Sequence, residues 1–307
     1  MSPMPMSPMK GILLAGGAGT RLHPATLAIN KQLLPVYDKP MIYYPLSILM
    51  LSGIRQIQII SSPEYIDNYR RLFGDGADLG LTIEYALQAR PEGIAQAFLI
   101  AEDFLAGARP ALVLGDNIFF GAGMTTLLAK AAAREHAATI FAYQVEQPGA
   151  YGVVELDQTG RAISLEEKPA APRSNQAVTG LYFYDQRACE FARNLKPSKR
   201  GELEITDLNR LYMECGDLFV ERLSRGFAWL DTGTHDSLLE ASEFVRTLQK
   251  RQGVHLACLE EIAFANGFID EQQLRARAGA LGVTAYSRYL FELADHARAQ
   301  RTTPAPV

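Results

Sequence analysis

From Ile12 to His136 short apolar runs and amphipathic stretches follow one another, and the pattern predicts strand and helix in turn. Ile12–Ala15 reads as a buried first strand. Pro40–Leu51 reads as a helix that opens on a proline and stops short of Gly53. Gln56–Ile60 is a second strand, and Glu64–Phe73 a helix with Tyr65, Tyr69, Leu72 and Phe73 on one face. Leu81–Leu87 is a third strand, Ile94–Leu105 a helix, and Ala111–Leu114 a fourth strand that stops at Gly115 and Asp116. Met124–His136 is helical. Such alternation predicts a mainly parallel sheet covered by helices.

The rhythm then changes. Thr139–Gln144, Tyr151–Leu156, Ala162–Glu166 and Val178–Tyr184 are four strand-like pieces, with a turn at Asp157–Gly160 between the second and third. This half reads as more antiparallel and suited to embracing a second substrate. Asp185–Asn194 and Glu204–Cys215 return to helix, Leu218–Leu223 and Phe227–Leu230 to strand, and His235–Arg251 to a long helix. From Cys258 onward only helical patterns occur, ending in a polar tail over 302–307. The expected organisation is a tail over 1–9, an α/β body over 10–251 and C-terminal helices over 252–301 packed on it. Within the body a nucleotide-binding half spans about 10–137 and a sugar-phosphate-binding half about 138–251.

With 307 residues, 48% hydrophobic and 21% charged, the chain has the make-up of a soluble globular enzyme. A net charge of -4 does not favour a nucleic-acid binder, so phosphate binding must be local. Cys189, Cys215 and Cys258 form no CxxC pair and have no histidine at zinc-ligand spacing, which points to a reduced, cytoplasmic setting. The apolar run after Lys10 is too short for a signal peptide or a membrane span.

The chemistry concentrates in Gly11–Pro35, where an apolar run turns through Gly16, Gly17 and Gly19 and is followed by Arg21 and Lys31. Glycines let backbone N–H groups approach an anion that the two cations neutralise. The P-loop pattern GxxxxGK[ST] is absent. Leu22 stands where the dinucleotide pattern needs its third glycine, and Ser61 and Ser62 replace the acidic residue that would hold an NAD ribose. A tight turn with a solvated arginine remains an alternative for the loop alone.

Two aspartates narrow the reading. Asp116 follows Ala-Leu-Val-Leu-Gly and Asp231 follows Ala-Trp-Leu, so both sit at carboxyl ends of strands, where open α/β sheets bind ligands. Together they suit Mg²⁺; singly, each also suits a turn. Lys168, in Glu166-Glu167-Lys168-Pro169, and Arg200, in Arg200-Gly201-Glu202, combine cations with carboxylates as a sugar phosphate requires, although a solvated charge run and an ordinary loop fit equally. Gln88 and Gly93 lie where amide and backbone groups can meet a base; an exposed polar strand end is the plainer account of Gln88. The histidines are scattered and no GxSxG elbow exists.

Taken together, Leu14-Ala15-Gly16-Gly17-Ala18-Gly19-Thr20-Arg21-Leu22 and Lys31-Gln32-Leu33-Leu34-Pro35 resemble the signature of the sugar-1-phosphate nucleotidyltransferases, in particular the bacterial glucose-1-phosphate thymidylyltransferases. The resemblance runs from Lys10 to at least Arg251, through Leu114-Gly115-Asp116-Asn117, Glu166-Glu167-Lys168-Pro169, Arg200-Gly201-Glu202-Leu203-Glu204-Ile205-Thr206-Asp207 and Ala228-Trp229-Leu230-Asp231-Thr232-Gly233-Thr234-His235. It implies a Rossmann-like three-layer α/β fold with a mixed, mainly parallel sheet, an inserted sugar-binding part and C-terminal helices.

The resemblance also implies roles. Leu14, Gly16, Gly17, Gly19, Thr20, Arg21, Lys31, Gln32 and Asp116 would bind the nucleotide dTTP, Arg21 and Lys31 contacting its triphosphate, with Gln88 and Gly93 reading the thymine. Asp116 and Asp231 would hold Mg²⁺. Tyr151, Gly152, Glu167, Val178 and Trp229 would line the glucosyl pocket, with Lys168 and Arg200 on the phosphate of glucose 1-phosphate. Direct in-line attack would then give dTDP-glucose, the first step towards dTDP-L-rhamnose, with Arg21, Lys31, Asp116 and Lys168 as catalytic residues. A homotetramer inhibited by dTDP-rhamnose at a second site is implied too, with Gly121, Arg225, Glu261 and Ile262 matching that site. Ala265 stands where an arginine is expected, which implies weaker inhibition. Use of UTP, CTP or ATP on the same fold, and a non-catalytic nucleotide-sensing subunit, are the alternatives.

Overall fold

A computed structural model of the chain describes residues 7–17 and 19–302. At its centre is a nine-stranded mixed sheet. Thr82–Leu87, Gln56–Ser61, Met9–Ala15 and Arg109–Leu114 lie side by side in that order, all parallel. Met9–Ala15 and Arg109–Leu114 are nearly all apolar because helices cover both faces of the sheet. Alternate side chains of the first strand therefore feed opposite cores: Leu13 packs with Leu46, Phe141 and Leu290, and Ile12 with Phe98, Tyr184 and Leu208.

Gln176–Phe183 joins the two halves. It runs antiparallel to Ala138–Gln144 along one side, and to Arg109–Leu114 and, through Ala177, to Gly152–Leu156 along the other. Ala162–Glu167 adds an antiparallel edge and Leu218–Leu223 a parallel one. The three last helices, Leu259–Ala265, Glu271–Ala280 and Ala285–Thr302, place Leu259, Leu274 and Leu290 in the Leu13 core. Among the described residues no helix is long and apolar enough to cross a membrane.

Several expected boundaries move. The tail expected over 1–9 shortens: Met9 is in the first strand and the Pro8 carbonyl accepts from Arg109 N at 3.0 Å, while Met1–Met6 lie outside the described residues. The last helix includes Thr302, and 303–307 lie outside the described residues. The helix expected from Pro40 starts at Tyr43, because Lys39–Pro40 pairs with Pro35–Val36 in a short hairpin and Ile42 N donates to Gln32 O. Ile94–Leu105 divides into Gln96–Ile100 and Glu102–Leu105. Besides that hairpin, a further strand was not expected: Asn117–Gly121, which pairs antiparallel with Phe227–Asp231 outside the main sheet.

Candidate active site

The chain leaves the first strand through the glycine loop. A Cβ on Gly16 would stand 2.0 Å from Gln88 Oε1, so the loop and the Gln88 amide are in close contact only because no side chain intervenes. Gly19 has φ +61° and would bring a Cβ 3.0 Å from that of Lys31, so this turn also requires glycine. Thr26 Oγ1 donates to Gly19 O at 2.8 Å and fastens the loop. Thr20–Leu22 then makes one 3-10 turn with Leu22 buried beneath it, while Arg21 points outward.

Asn30 opens a second 3-10 turn, Lys31–Leu33, and its Oδ1 accepts both from Gln32 N at 3.0 Å and from Tyr69 OH at 2.7 Å. The cap aims Lys31 inward. Only 5% exposed, Lys31 donates from Nζ to Asp116 Oδ2 at 2.6 Å. Burial works against ionisation of Asp116, but the Lys31 charge and the hydrogen bonds from Lys31 and Asn117 outweigh it and hold the carboxyl below its ordinary value.

The unexpected strand pair brings in the second aspartate. Asp231 lies opposite Asn117 in the ladder, and Thr232 Oγ1 donates to the Asp116 carbonyl at 2.9 Å. Burial first, and then the Asp116 charge, push the Asp231 carboxyl above its ordinary value, against the pull of Lys31, Arg21 and Lys168. Two crowded carboxylates with opposed shifts gain from a cation between them. The donor set fits a hard ion such as Mg²⁺, which takes one or two carboxylates and completes its shell with phosphate oxygens and water. No group of three or more His, Cys, Asp or Glu residues among the described residues forms a fuller cage.

Beside the aspartates opens a cavity of about 740 Å³. Arg21, Asp116 and Asp231 line one end; Tyr151, Gly152, Glu167, Lys168 and Val178 line another part. Glu167 Oε2 accepts from Thr206 Oγ1 at 2.5 Å, and a Cβ on Gly152 would lie 3.0 Å from that hydroxyl, so glycine keeps this wall open. Lys168 has φ +43°, a left-handed conformation that costs a non-glycine residue about 1–3 kcal/mol. Its N–H donates to Tyr151 O at 3.0 Å, which fixes the bend. Trp229 is buried, meets the Tyr151 ring at 5.1 Å between centroids, and donates from Nε1 to Asn117 Oδ1 at 2.7 Å.

The stretch that carries the glycine loop, the two aspartates and the cavity residues is also the stretch matched by the nucleotidyl transferase family model, residues 10–247. The chain belongs to the nucleotidyl transferase family. The glucose-1-phosphate thymidylyltransferase of Neisseria meningitidis (serogroup A) is 59% identical over 285 residues, 93% of this nucleotidyl transferase and 99% of that protein. The protein of the same name from Xanthomonas campestris (strain B100) is 58% identical over 289 residues, 94% of this chain and 98% of the relative. A Bacillus anthracis structure, described as a candidate glucose-1-phosphate thymidylyltransferase in complex with sucrose, superposes with a TM-score of 0.72 at 39% identity, over 78% of this chain and 95% of that one.

Not every expected residue of this nucleotidyl transferase converges on the cavity. Arg200 does not line it: its Nη2 lies 2.8 Å from Glu204 Oε2, 3.2 Å from Glu202 Oε2 and 3.3 Å from Glu167 Oε1. Carboxylates four or fewer positions away claim the guanidinium first. Leu14 contributes its carbonyl, which accepts from Gly115 N at 2.9 Å, and Gln32 is buried. Gly17 faces open space, and Gly93, at φ +105°, lies so close to Leu203 that a Cβ would stand 2.4 Å from its carbonyl oxygen. Gly121, Glu261 and Ile262 share a separate cavity of about 380 Å³, whereas Arg225 lies outside it and Ala265 lines a different one with Phe264 and Phe268.

Asn117, Tyr182 and Thr206 are among the cavity residues that escaped sequence reasoning. Asn117 and Thr206 stood within recognised motifs, but nothing in their spacing marked their side chains as turned inward. Tyr182 showed in the sequence only as part of the strand-like piece Val178–Tyr184.

Proposed function

We propose that the protein transfers a thymidylyl group from dTTP to α-D-glucose 1-phosphate, releasing pyrophosphate and forming dTDP-glucose. The observation that carries this reading is the 2.6 Å contact between Lys31 and Asp116, with Asp116 and Asp231 lining the same cavity as Glu167 and Lys168.

Lys31 and Arg21 grip the triphosphate, the first pre-set by its carboxylate and the second lying against Gly233, where a Cβ would stand 2.9 Å from Arg21 Nη2. Lys168, joined by Arg200 once the latter leaves Glu204, holds the sugar phosphate. Glu167 and the backbone at Gly152 and Val178 receive sugar hydroxyls, and Tyr151 with Trp229 form the apolar wall. A phosphate oxygen of glucose 1-phosphate forms the new bond to the α-phosphorus of dTTP as the bond to the bridging β-oxygen breaks. The acceptor is already ionised, so no covalent enzyme intermediate is required; the chain contributes alignment and fixed charge. Mg²⁺, held by Asp116 and Asp231, supplies neutralisation of phosphate charge when bound.

The same reading carries a cytoplasmic homotetramer at the head of dTDP-L-rhamnose synthesis, with dTDP-rhamnose binding near Gly121, Glu261 and Ile262. Ala265 makes its feedback weaker. Pyrophosphate release measured across nucleoside triphosphates and sugar 1-phosphates tests the core claim. dTTP with glucose 1-phosphate is expected to give the highest kcat/KM; a preference for UTP, CTP or ATP, or no turnover with any pair, would sink it.

A further inference from the structure

The loop between Leu87 and the helix Gln96–Ile100 holds a chain of side-chain amides whose polarity is set by groups that can act in only one sense. Gln96 Nε2 lies 3.0 Å from Glu92 Oε2, a carboxylate oxygen that accepts. On the other end of the same amide, Gln96 Oε1 accepts from the Glu92 backbone N–H at 3.2 Å, a group that only donates. A flipped Gln96 would oppose like to like at both contacts, so its orientation is determined twice. Gln88 then meets Gln96 Oε1 at 2.7 Å and must present Nε2 to it. The Gln88 carbonyl oxygen is thereby turned the other way, over Gly16, where a Cβ would stand 2.0 Å from it, and no described residue donates to it.

We propose that Glu92 and Gln96 are specificity-determining positioning residues: they hold the Gln88 side chain with its acceptor towards the nucleotide, so that the site takes a base offering a ring N–H at that edge and rejects one offering a lone pair. The inference rests on the reading that Gln88 faces the base. Thymine and uracil present N3–H between two carbonyls. Cytosine presents an unprotonated N3, which would face the Gln88 oxygen as acceptor against acceptor. Gln88 is only 4% exposed, so little water competes to repair such a mismatch, and the unmatched polar group disfavours the wrong base. The relay reads hydrogen-bond polarity and not the 5-methyl group.

The test compares kcat/KM for dTTP, dUTP and dCTP in the full-length protein and in Gln96→Met, the double variant Gln96→Glu with Glu92→Gln, and Gln88→Leu. Gln96→Met removes the acceptor that fixes Gln88, and the dTTP-to-dCTP ratio is expected to fall about tenfold or more. Gln96→Glu, made together with Glu92→Gln so that a donor again faces the new carboxylate, keeps an acceptor facing Gln88 and is expected to retain most of the wild-type ratio. The dTTP-to-dUTP ratio should stay unchanged in both. A wild-type dTTP-to-dCTP ratio in Gln96→Met, or equal losses in Gln96→Met and the double variant, would overturn the relay. Gln88→Leu separates the two levels: a ratio it leaves intact defeats the placement of Gln88 on the base, whereas a ratio that falls there but not in Gln96→Met defeats the relay alone.

Discussion

The buried ammonium of Lys31 lies 2.6 Å from an oxygen of Asp116, a contact between residues 85 positions apart. The two groups are mutually dependent: without Asp116 the lysine is a nearly sealed, unpaired cation, and without Lys31 the carboxylate loses the charge that keeps it ionised beside Asp231.

Asp116→Asn is therefore expected to lower kcat by about 100-fold or more, the scale seen when a preorganised charged group is removed from a polar site. Steady-state assays with saturating Mg²⁺ measure it, and unchanged turnover would remove Asp116 from the metal and charge-balancing role. Treatment with a chelator should abolish activity in the unaltered protein and added Mg²⁺ should restore it. Because its carboxyl is raised by burial and by Asp116, Asp231 is the first of the pair to take up a proton on acidification. Activity should accordingly fall on the acid side before Asp116 titrates.

Lys168→Ala should act on the acceptor. Its Nζ is half exposed and 4.0 Å from Glu167, so removal leaves no buried charge behind. The expected result is a KM for glucose 1-phosphate raised about 10- to 100-fold, with the KM for dTTP unchanged. Equal effects on both substrates would show that the residue does not discriminate between the two phosphates.

Gly93→Ala and Gly16→Ala should differ in kind. At Gly93 the new Cβ would meet backbone, 2.4 Å from Leu203 O, on a residue with φ +105°. Neither side can yield, and a loss of several kcal/mol of stability is expected. At Gly16 the obstacle is the end of the Gln88 side chain, which can swing away. That variant should remain folded, with a loss of stability of about 1 kcal/mol, but lose affinity for dTTP. Thermal unfolding and nucleotide titration of both proteins distinguish these outcomes.

A cluster at the turn of the Pro35–Pro40 hairpin, built on the buried Lys39 and Gln249, supplies a pH-dependent prediction. Asp38 lies 2.5 Å from Lys39 Nζ and accepts from Gln249 Nε2 at 2.9 Å, with His255 Nδ1 at 3.1 Å. Burial opposes its charge, yet the His255 hydrogen bond and the Lys39 charge prevail and hold the carboxyl well below its ordinary value of 3.8. The folded value lies below the unfolded one, so the stabilisation is complete above pH 3.8 and is lost as pH falls from there through the folded value. Asp38→Ala should cost about 3 kcal/mol at pH 7, because Lys39 remains buried without its partner. The deficit should shrink progressively below pH 3.8. Urea unfolding at a series of pH values measures it, and a deficit that does not depend on pH would contradict the assignment.

Much of this was legible in the residues. The apolar runs marked the parallel strands because strands covered on both faces must be apolar throughout, and the glycines marked the loop because Gly16 and Gly19 stand where a side chain would collide. The strand Asn117–Gly121 was not legible. Only five residues long and separated by two residues from the preceding strand, it carries no alternation of its own, and its partner lies more than a hundred positions away. Arg200 looked like a phosphate ligand because a charge shows in sequence, whereas the fold decides that Glu202, Glu204 and the distant Glu167 all turn towards it.

The sequence by itself determined which chemistry the protein carries: the triphosphate loop, the two strand-end aspartates and the cations, each announced by residue type and local spacing. The tertiary structure decided how they act together. Asp116 and Asp231 become one site only through the Asn117–Gly121 and Phe227–Asp231 ladder, and Gln88 acquires a direction only through Gln96 and Glu92. Local pattern reports what a residue is, but hydrogen-bond partners, burial and electric field depend on long-range packing that no window of sequence contains.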